Sequence, residues 1–196
     1  RYRHTLIANG LGSQAADFVR ASAQFQITQY KAEHEAMLRT SGYAGYQLLM
    51  LSDFTGQSEA LVGILDPFWE SKGVVSPAEV RAWNAPTVVL SRFAKYVWTT
   101  EETFTARLQV AHYGADDLPP SPVQWSLRVR AGKEIARGEL AAKPIPAGGL
   151  SDLGTVRVSL DRVGDASALM FCVRVSAVEN QWPIWVYPAS IPDPEP

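Results

Sequence analysis

The chain has 196 residues, 46% of them hydrophobic, enough for one large domain or two modest ones around a buried core, which excludes a disordered tail. Its 18 Lys and Arg stand against 20 Asp and Glu, a net charge of −2, which excludes electrostatic capture of nucleic acid or an anionic membrane. No apolar run reaches the roughly 18 residues that a membrane span needs. The chain opens on Arg1, without an initiator Met or a signal peptide, and so reads as a piece of something longer.

From Ser13 to about Arg39 the apolar residues Phe18, Val19, Phe25, Tyr30, Met37 and Leu38 recur at helical spacing. Gly12 and Ser13 mark the start of this helix, and Ser41 and Gly42 its end. Two helices flanking a short strand at Phe25 to Gln29 are the alternative, because "FQITQ" alternates and carries β-branched residues. The run "GYQLLML" from Gly45 to Leu51 then reads as a strand buried on both faces, ending at the polar Ser52 and Asp53. "ALVGILDP" is a second buried segment, closed by a turn at Asp66 and Pro67. A short helix starts after Ser76, with Ser76 as N-cap, Pro77 at the first helical position and Glu79 completing a capping box.

Beyond Phe93 the period changes to two. Phe104, Ala106, Leu108 and Val110 fall on one face, as do Val123, Trp125, Leu127 and Val129 opposite Gln124, Ser126, Arg128 and Arg130. The alternation recurs at Val156, Val158 and Leu160 and at Leu169, Phe171, Val173 and Val175, with turn signals between the runs. This pattern predicts an antiparallel immunoglobulin-like β-sandwich with Trp125 as its core tryptophan, a small barrel being the alternative. The tail "QWPIWVYP" is apolar on both faces and carries Pro183, which predicts an edge strand. Residues 1–94 therefore read as one part and residues 95–196 as the sandwich, with the boundary near Ser91 to Lys95. The first part is incomplete by itself, since a single strand buried on both faces needs neighbours on both sides.

The stretch "YKAEHEAMLRTSGYAGYQLLMLSDFTGQSEALVGILDPFWESKG", followed by a sandwich ending in "NQWPIWVYPAS", resembles the C-terminal part of proteins of glycoside hydrolase family two. This is the β-galactosidase and β-glucuronidase group. The resemblance implies a mixed architecture, the C-terminal fragment of a (β/α)8 TIM barrel followed by the sandwich. Gly45 to Leu51 would be the eighth barrel strand, and Ser52, Asp53 and the loop to Gln57 would lie at the mouth where barrel enzymes place their sites. The implied activity is hydrolysis of β-linked glycosides by a bacterial enzyme, with the upstream part of the same polypeptide and a carbohydrate substrate as partners. A periplasmic or extracellular location goes with it. The rival function is a non-catalytic carbohydrate-binding or structural module of a multidomain surface protein.

Retaining glycosidases use two carboxyl groups about 5 Å apart. In this family both are glutamates, on the fourth and seventh barrel strands, so most of the catalytic apparatus lies upstream and the chain alone is expected to be inactive. Glu33 and Glu35 are the catalytic candidates within it, although on a helix residues two apart point in different directions and an ordinary helix surface is the competing reading. Asp53, Gln57, Tyr30, Lys31 and Trp69 are the substrate-binding candidates. Asp53 would accept hydrogen bonds from sugar hydroxyls, or else cap its own loop, while Phe54, Phe68 and Trp69 would wall the pocket, or else belong to the core. His4, His34 and His112 show no metal-ligand spacing, and no metal or cofactor is expected. Cys172, alone in an apolar run, reads as a small buried hydrophobe, and no internal disulfide is possible.

Overall fold

The computed structural model describes residues 2–57, 61–129 and 132–190, with Gln57 described by its backbone alone. The chain forms two compact units, Arg1–Arg81 and Ala82–Pro196. The division falls upstream of the expected Ser91 to Lys95 because the first sandwich strand begins at Thr87, where the sequence lacks clean alternation.

In the N-terminal unit, α1 (Tyr2–Ala8) and a turn of 3-10 helix at Gly12–Gln14 precede the 24-residue α2 (Ala15–Leu38). The strand alternative at Phe25 to Gln29 is not realised. A helix satisfies its backbone groups within itself, whereas a strand there would need a partner. The same requirement decides Gly45 to Leu51. No strand forms there, and the local pairing is a single parallel bridge between Ser52 and Leu65. Leu49 is 73% exposed and only Met50 of the run is buried. In "ALVGILDP", whose Ala60 lies outside the described residues, Leu61 and Val62 are exposed, Gly63 is buried, and Ile64 and Leu65 are half-buried. Among the described residues, therefore, the expected barrel fragment has neither its strand nor a core. The last helix, α3 (Pro77–Trp83), follows the expected capping box. The Glu79 N–H donates to Ser76 Oγ at 3.2 Å, and the Ser76 N–H donates to Glu79 Oε2 at 2.8 Å. These bonds, the backbone one first, hold the Glu79 carboxyl below its usual range.

The C-terminal unit is a β-sandwich. Its strands are β1 (Thr87–Arg92), β2 (Val97–Thr99), β3 (Thr103–His112), β4 (Leu118–Val129), β5 (Glu134–Ile145), β6 (Gly149–Ser159), β7 (Ser167–Val175) and β8 (Val178–Tyr187). One sheet has the order β1-β3-β6 and the other β2-β8-β7-β4-β5. Apart from the parallel β2–β8 contact, every pairing is antiparallel, and the order corresponds to the connectivity of immunoglobulin-type sandwiches. The period-two residues point where alternation puts them: Phe104, Leu108, Val123, Leu127, Phe171, Val175 and Ile184 are all fully buried. Between the sheets Phe104 meets Phe171 edge to face with ring centroids 5.0 Å apart, and Trp98 packs on Phe104 at 5.5 Å. Asn180, on β8 and 1% exposed, donates from Nδ2 to the carbonyl of Val89 on β1 at 2.8 Å. A side-chain hydrogen bond thus crosses from one sheet to the other inside the core.

Three details depart from simple alternation. In the β3–β6 ladder Leu108 faces Gly154 but Gln109 faces Asp152, so Leu153 is an extra residue in β6. The bulge explains Gly154 at φ +125° and the run of buried residues from Leu108 to His112 on both faces of β3. Trp125, the expected core tryptophan, is only partly buried and packs at the margin of the core; the enclosed indoles of the sandwich are Trp98 and Trp182. Trp125 faces Gly138 of the edge strand β5, so no side chain covers it from that side. β8 is flanked by β7 and by the three-residue β2, which reaches only Trp185 to Tyr187. Pro183 lies short of that pairing, where β8 is still an edge, and its missing N–H leaves no gap in the ladder.

Replacing Phe171 by Ala should lower the unfolding free energy of the sandwich by about 3–5 kcal/mol. Replacing the exposed Trp185 by Ala should cost under about 1 kcal/mol. Urea denaturation followed by Trp fluorescence distinguishes the two.

Candidate functional site

Asp53 follows the apolar run, and its carboxylate is buried in the N-terminal unit. Oδ1 accepts the Gly63 N–H at 2.7 Å, and Oδ2 pairs with Lys72 Nζ at 2.7 Å. Lys72 also donates to the Gly63 carbonyl at 2.8 Å, while the backbones of Asp53 and Leu65 are bonded at 3.0 Å. Burial alone would raise the Asp53 pKa, but the Lys72 hydrogen bond, the Gly63 N–H and the Lys72 charge together outweigh it and hold the carboxyl below its usual range. Gly63 is required for this closure, since a Cβ there would lie 2.4 Å from the Asp53 nitrogen. From α2, Tyr30 donates its hydroxyl to the Val62 carbonyl at 2.9 Å, and the Gln26 amide donates to the same oxygen. The segment from Leu61 to Leu65 is therefore strapped from both sides.

Among the expected site residues, Asp53 and Tyr30 both act on this segment. Lys31 belongs to a separate cluster along α2, where Glu35 lies between Lys31 and Arg39, the latter at 3.4 Å. Burial holds the Lys31 ammonium below the ordinary lysine value although Glu35 favours its charge. Glu35 is buried and Glu33 exposed, so the two catalytic candidates point apart, as their spacing on a helix requires. Trp69 is 67% exposed and held at φ +66° in a turn made by Asp66, whose Oδ1 accepts the N–H groups of Phe68 and Glu70. Phe54 and Phe68 are also exposed and form no core. The side chain of Gln57 lies outside the described residues. Lys72 and Gly63 were missed by sequence reasoning. Gly63 inside an apolar run was a signal for close backbone approach, whereas nothing local marks Lys72.

A groove of about 1010 Å³ in this unit is lined mainly by apolar side chains of α1, α2 and the strapped segment, with Asp53 and Lys72 at its polar end. Both Asp53 oxygens serve the protein, and Glu35 lies between two cations, so neither forms an acid/base pair with a second carboxylate. Among the described residues no cluster of His, Cys, Asp and Glu is arranged to hold a metal, and no helix is long and apolar enough to cross a membrane, which says nothing of strands.

The fold defines a β-sandwich protein with a helical N-terminal extension. Residues 102–188 match the family described as "Domain of unknown function (DUF8488)". No curated protein matches the chain. Similar solved structures include the sporulation control protein Spo0M of Bacillus subtilis, at 18% identity and TM-score 0.36 over 53% of this chain and 50% of that one. They also include a β-glucuronidase of Parabacteroides merdae, at 10% identity and TM-score 0.37 over 52% of this chain and 14% of that one. A β-glucosidase of Listeria innocua has 9% identity and TM-score 0.37 over 54% of this chain and 17% of that one. The chain thus spans half or less of each of these proteins, and glycosidases and non-glycosidases stand together among them at scores that separate neither.

Asp53→Asn should destabilise the N-terminal unit by about 1–3 kcal/mol, because a charge-assisted bond to Lys72 is lost inside a closed loop. Gly63→Ala should act in the same direction. Since the folded pKa of Asp53 lies below its unfolded value of about 4, its contribution is present above that value and lost as the pH falls through the folded pKa. Protection of the Asp53, Gly63 and Leu65 amides, taken relative to the intrinsic exchange rate at each pH, should fall on acidification in the native chain and change little with pH in Asp53→Asn.

Proposed function

We propose that the chain is a non-catalytic portion of a larger polypeptide of the glycoside hydrolase family two type, acting on β-linked glycosides through residues supplied upstream. Residues 2–81 complete a TIM-barrel domain begun upstream, and the sandwich is an accessory module. The observation that carries the first part is the uncovered apolar surface of the N-terminal unit. Among the residues described up to Arg81, Met50 is the one large apolar side chain that is buried, the buried Trp83 at the end of α3 falling in the other unit, whereas Phe18, Val19, Phe25, Leu49, Phe68 and Trp69 are exposed. Such a unit gains too little from burial to offset the entropy of ordering its chain. What it lacks is apolar surface and a strand partner for Gly45 to Leu51, and neighbouring barrel strands would supply both. Its buried carboxylates are already satisfied by Lys31, Arg39 and Lys72, so chemistry at this unit is not what the arrangement favours. The glycosidase part of the reading rests on the sequence resemblance.

A second reading keeps the sandwich as a carbohydrate-binding module of a surface protein with no enzyme attached. It is favoured by a polar groove across the five-stranded sheet, lined by Gln124, Arg128, Arg137 and Glu139 among others.

The 196-residue chain and its full-length parent, prepared side by side, test the proposal. The chain alone should bind the dye ANS, exchange the amides of α2 rapidly and leave aryl β-glycosides unhydrolysed, while the parent should suppress the dye signal, protect α2 and hydrolyse them. Phe25→Asp should destabilise the parent by about 2–4 kcal/mol and leave the unfolding of the isolated sandwich unchanged. A 196-residue chain that excludes ANS and protects α2 as strongly as β7 would overturn the reading.

A further inference from the structure

The outward face of the five-stranded sheet carries two cross-strand rows. Glu179, Arg174, Gln124 and Glu139 stand side by side on β8, β7, β4 and β5, and Gln181, Cys172, Ser126 and Arg137 form the next row. Alternation places these residues opposite the core set Val123, Leu127, Phe171 and Val173. Cys172 and Ser126 are short and sit in the middle of their row, while longer side chains stand on every side. The face is consequently hollowed into a groove of about 640 Å³, which is within the range of ligand sites. Across four strands it is roughly 14 Å wide.

The groove is lined by Arg128, Arg137 and Arg174 and by Glu134, Glu139 and Glu179, so it is neutral although densely charged. Arg174 Nε donates to Glu179 at 3.0 Å and Arg137 lies 3.5 Å from Glu134. Among the described residues Glu139 forms no ion pair, which leaves one acceptor open, while the Arg128 guanidinium is shared with Cys172 on the adjacent strand. An anionic ligand would meet three carboxylates there, and a cationic one three guanidinium groups. A hydroxyl group donates and accepts at once, so a polyol is the chemistry that such interleaved planar groups can satisfy.

We propose that this groove binds a short neutral oligosaccharide, its hydroxyls bonded by Arg137, Glu139 and Gln124. This deepens the reading of the sandwich as a carbohydrate-associated module and rests on it, but needs no catalysis by the parent.

The test is an NMR titration of the full 196-residue chain with cellohexaose, laminarihexaose and xylohexaose, and with a hexagalacturonate and a chitosan hexamer as charged controls. At least one neutral hexamer should shift the amides of Gln124, Ser126, Arg137 and Glu139, with little change at the charged controls. Arg137→Ala and Glu139→Ala, both at exposed positions, should each weaken that binding at least tenfold without altering the melting temperature. Preference for the uronate or the chitosan hexamer, shifts centred outside the groove, or no shift with any neutral hexamer would each overturn the assignment. Aryl-glycoside turnover and α2 protection in the parent do not depend on the groove, so the broader reading stands or falls separately.

Discussion

The constraint on which the sandwich depends is the closure of two sheets over a shared aromatic and aliphatic layer. Phe104 and Phe171 meet at the centre of it, with Trp98, Trp182 and the valines of β4, β6 and β7 around them. Fully burying side chains of this size is worth about 1.5–3 kcal/mol each, and packing at near-crystalline density fixes their positions. Polar groups are retained at that layer, Asn180 among them. Asn180 can be buried because it bonds to a backbone carbonyl of the opposite sheet, so the hydrogen bond also fixes how β8 lies over β1. The outward face of the five-stranded sheet is left mostly polar, and the rows of β4, β5, β7 and β8 there can be arranged for recognition.

The N-terminal unit is organised by the opposite circumstance. Its buried groups are mostly polar or charged: His34 against the Tyr30 carbonyl, Glu35 between its cations, and Asp53 clamped by Lys72 and Gly63. Each is satisfied locally, by residues four apart on one helix or by a loop closing on itself. Such contacts hold short-range geometry but bury little apolar area. Long-range order in this unit has to come from surface that the described residues do not supply, which is why its large apolar side chains carry more functional meaning than its carboxylates.

Asp53 illustrates how a reading of strand end and charge can be right about burial and incomplete about role. A carboxylate directly after an apolar run has to be paired or exposed in a cleft. Here it is paired, through a lysine nineteen positions later and a glycine ten positions later whose proximity no local pattern encodes. Glu33 and Glu35 show the complementary case: helical geometry points them apart, but only the packed structure buries Glu35 and leaves Glu33 exposed.

What the amino-acid sequence by itself determined is everything governed by short periods. The long helix, the capping box at Ser76 to Glu79, the β-strands from Thr103 onward and the inward set from Phe104 to Val175 all follow from spacings of two, three or four residues, which the backbone imposes locally. Tertiary structure decided what depends on partners distant in the chain. It left Gly45 to Leu51 without a strand because no neighbours are present to pair with it, and it drew β1 into the sandwich through its ladder with β3. It moved Trp125 to the margin because β5 is an edge, and it gave Asp53 its lysine. Strand pairing, register and salt-bridge partners are matters of which surfaces meet, and that is encoded in the whole chain rather than in any window of it.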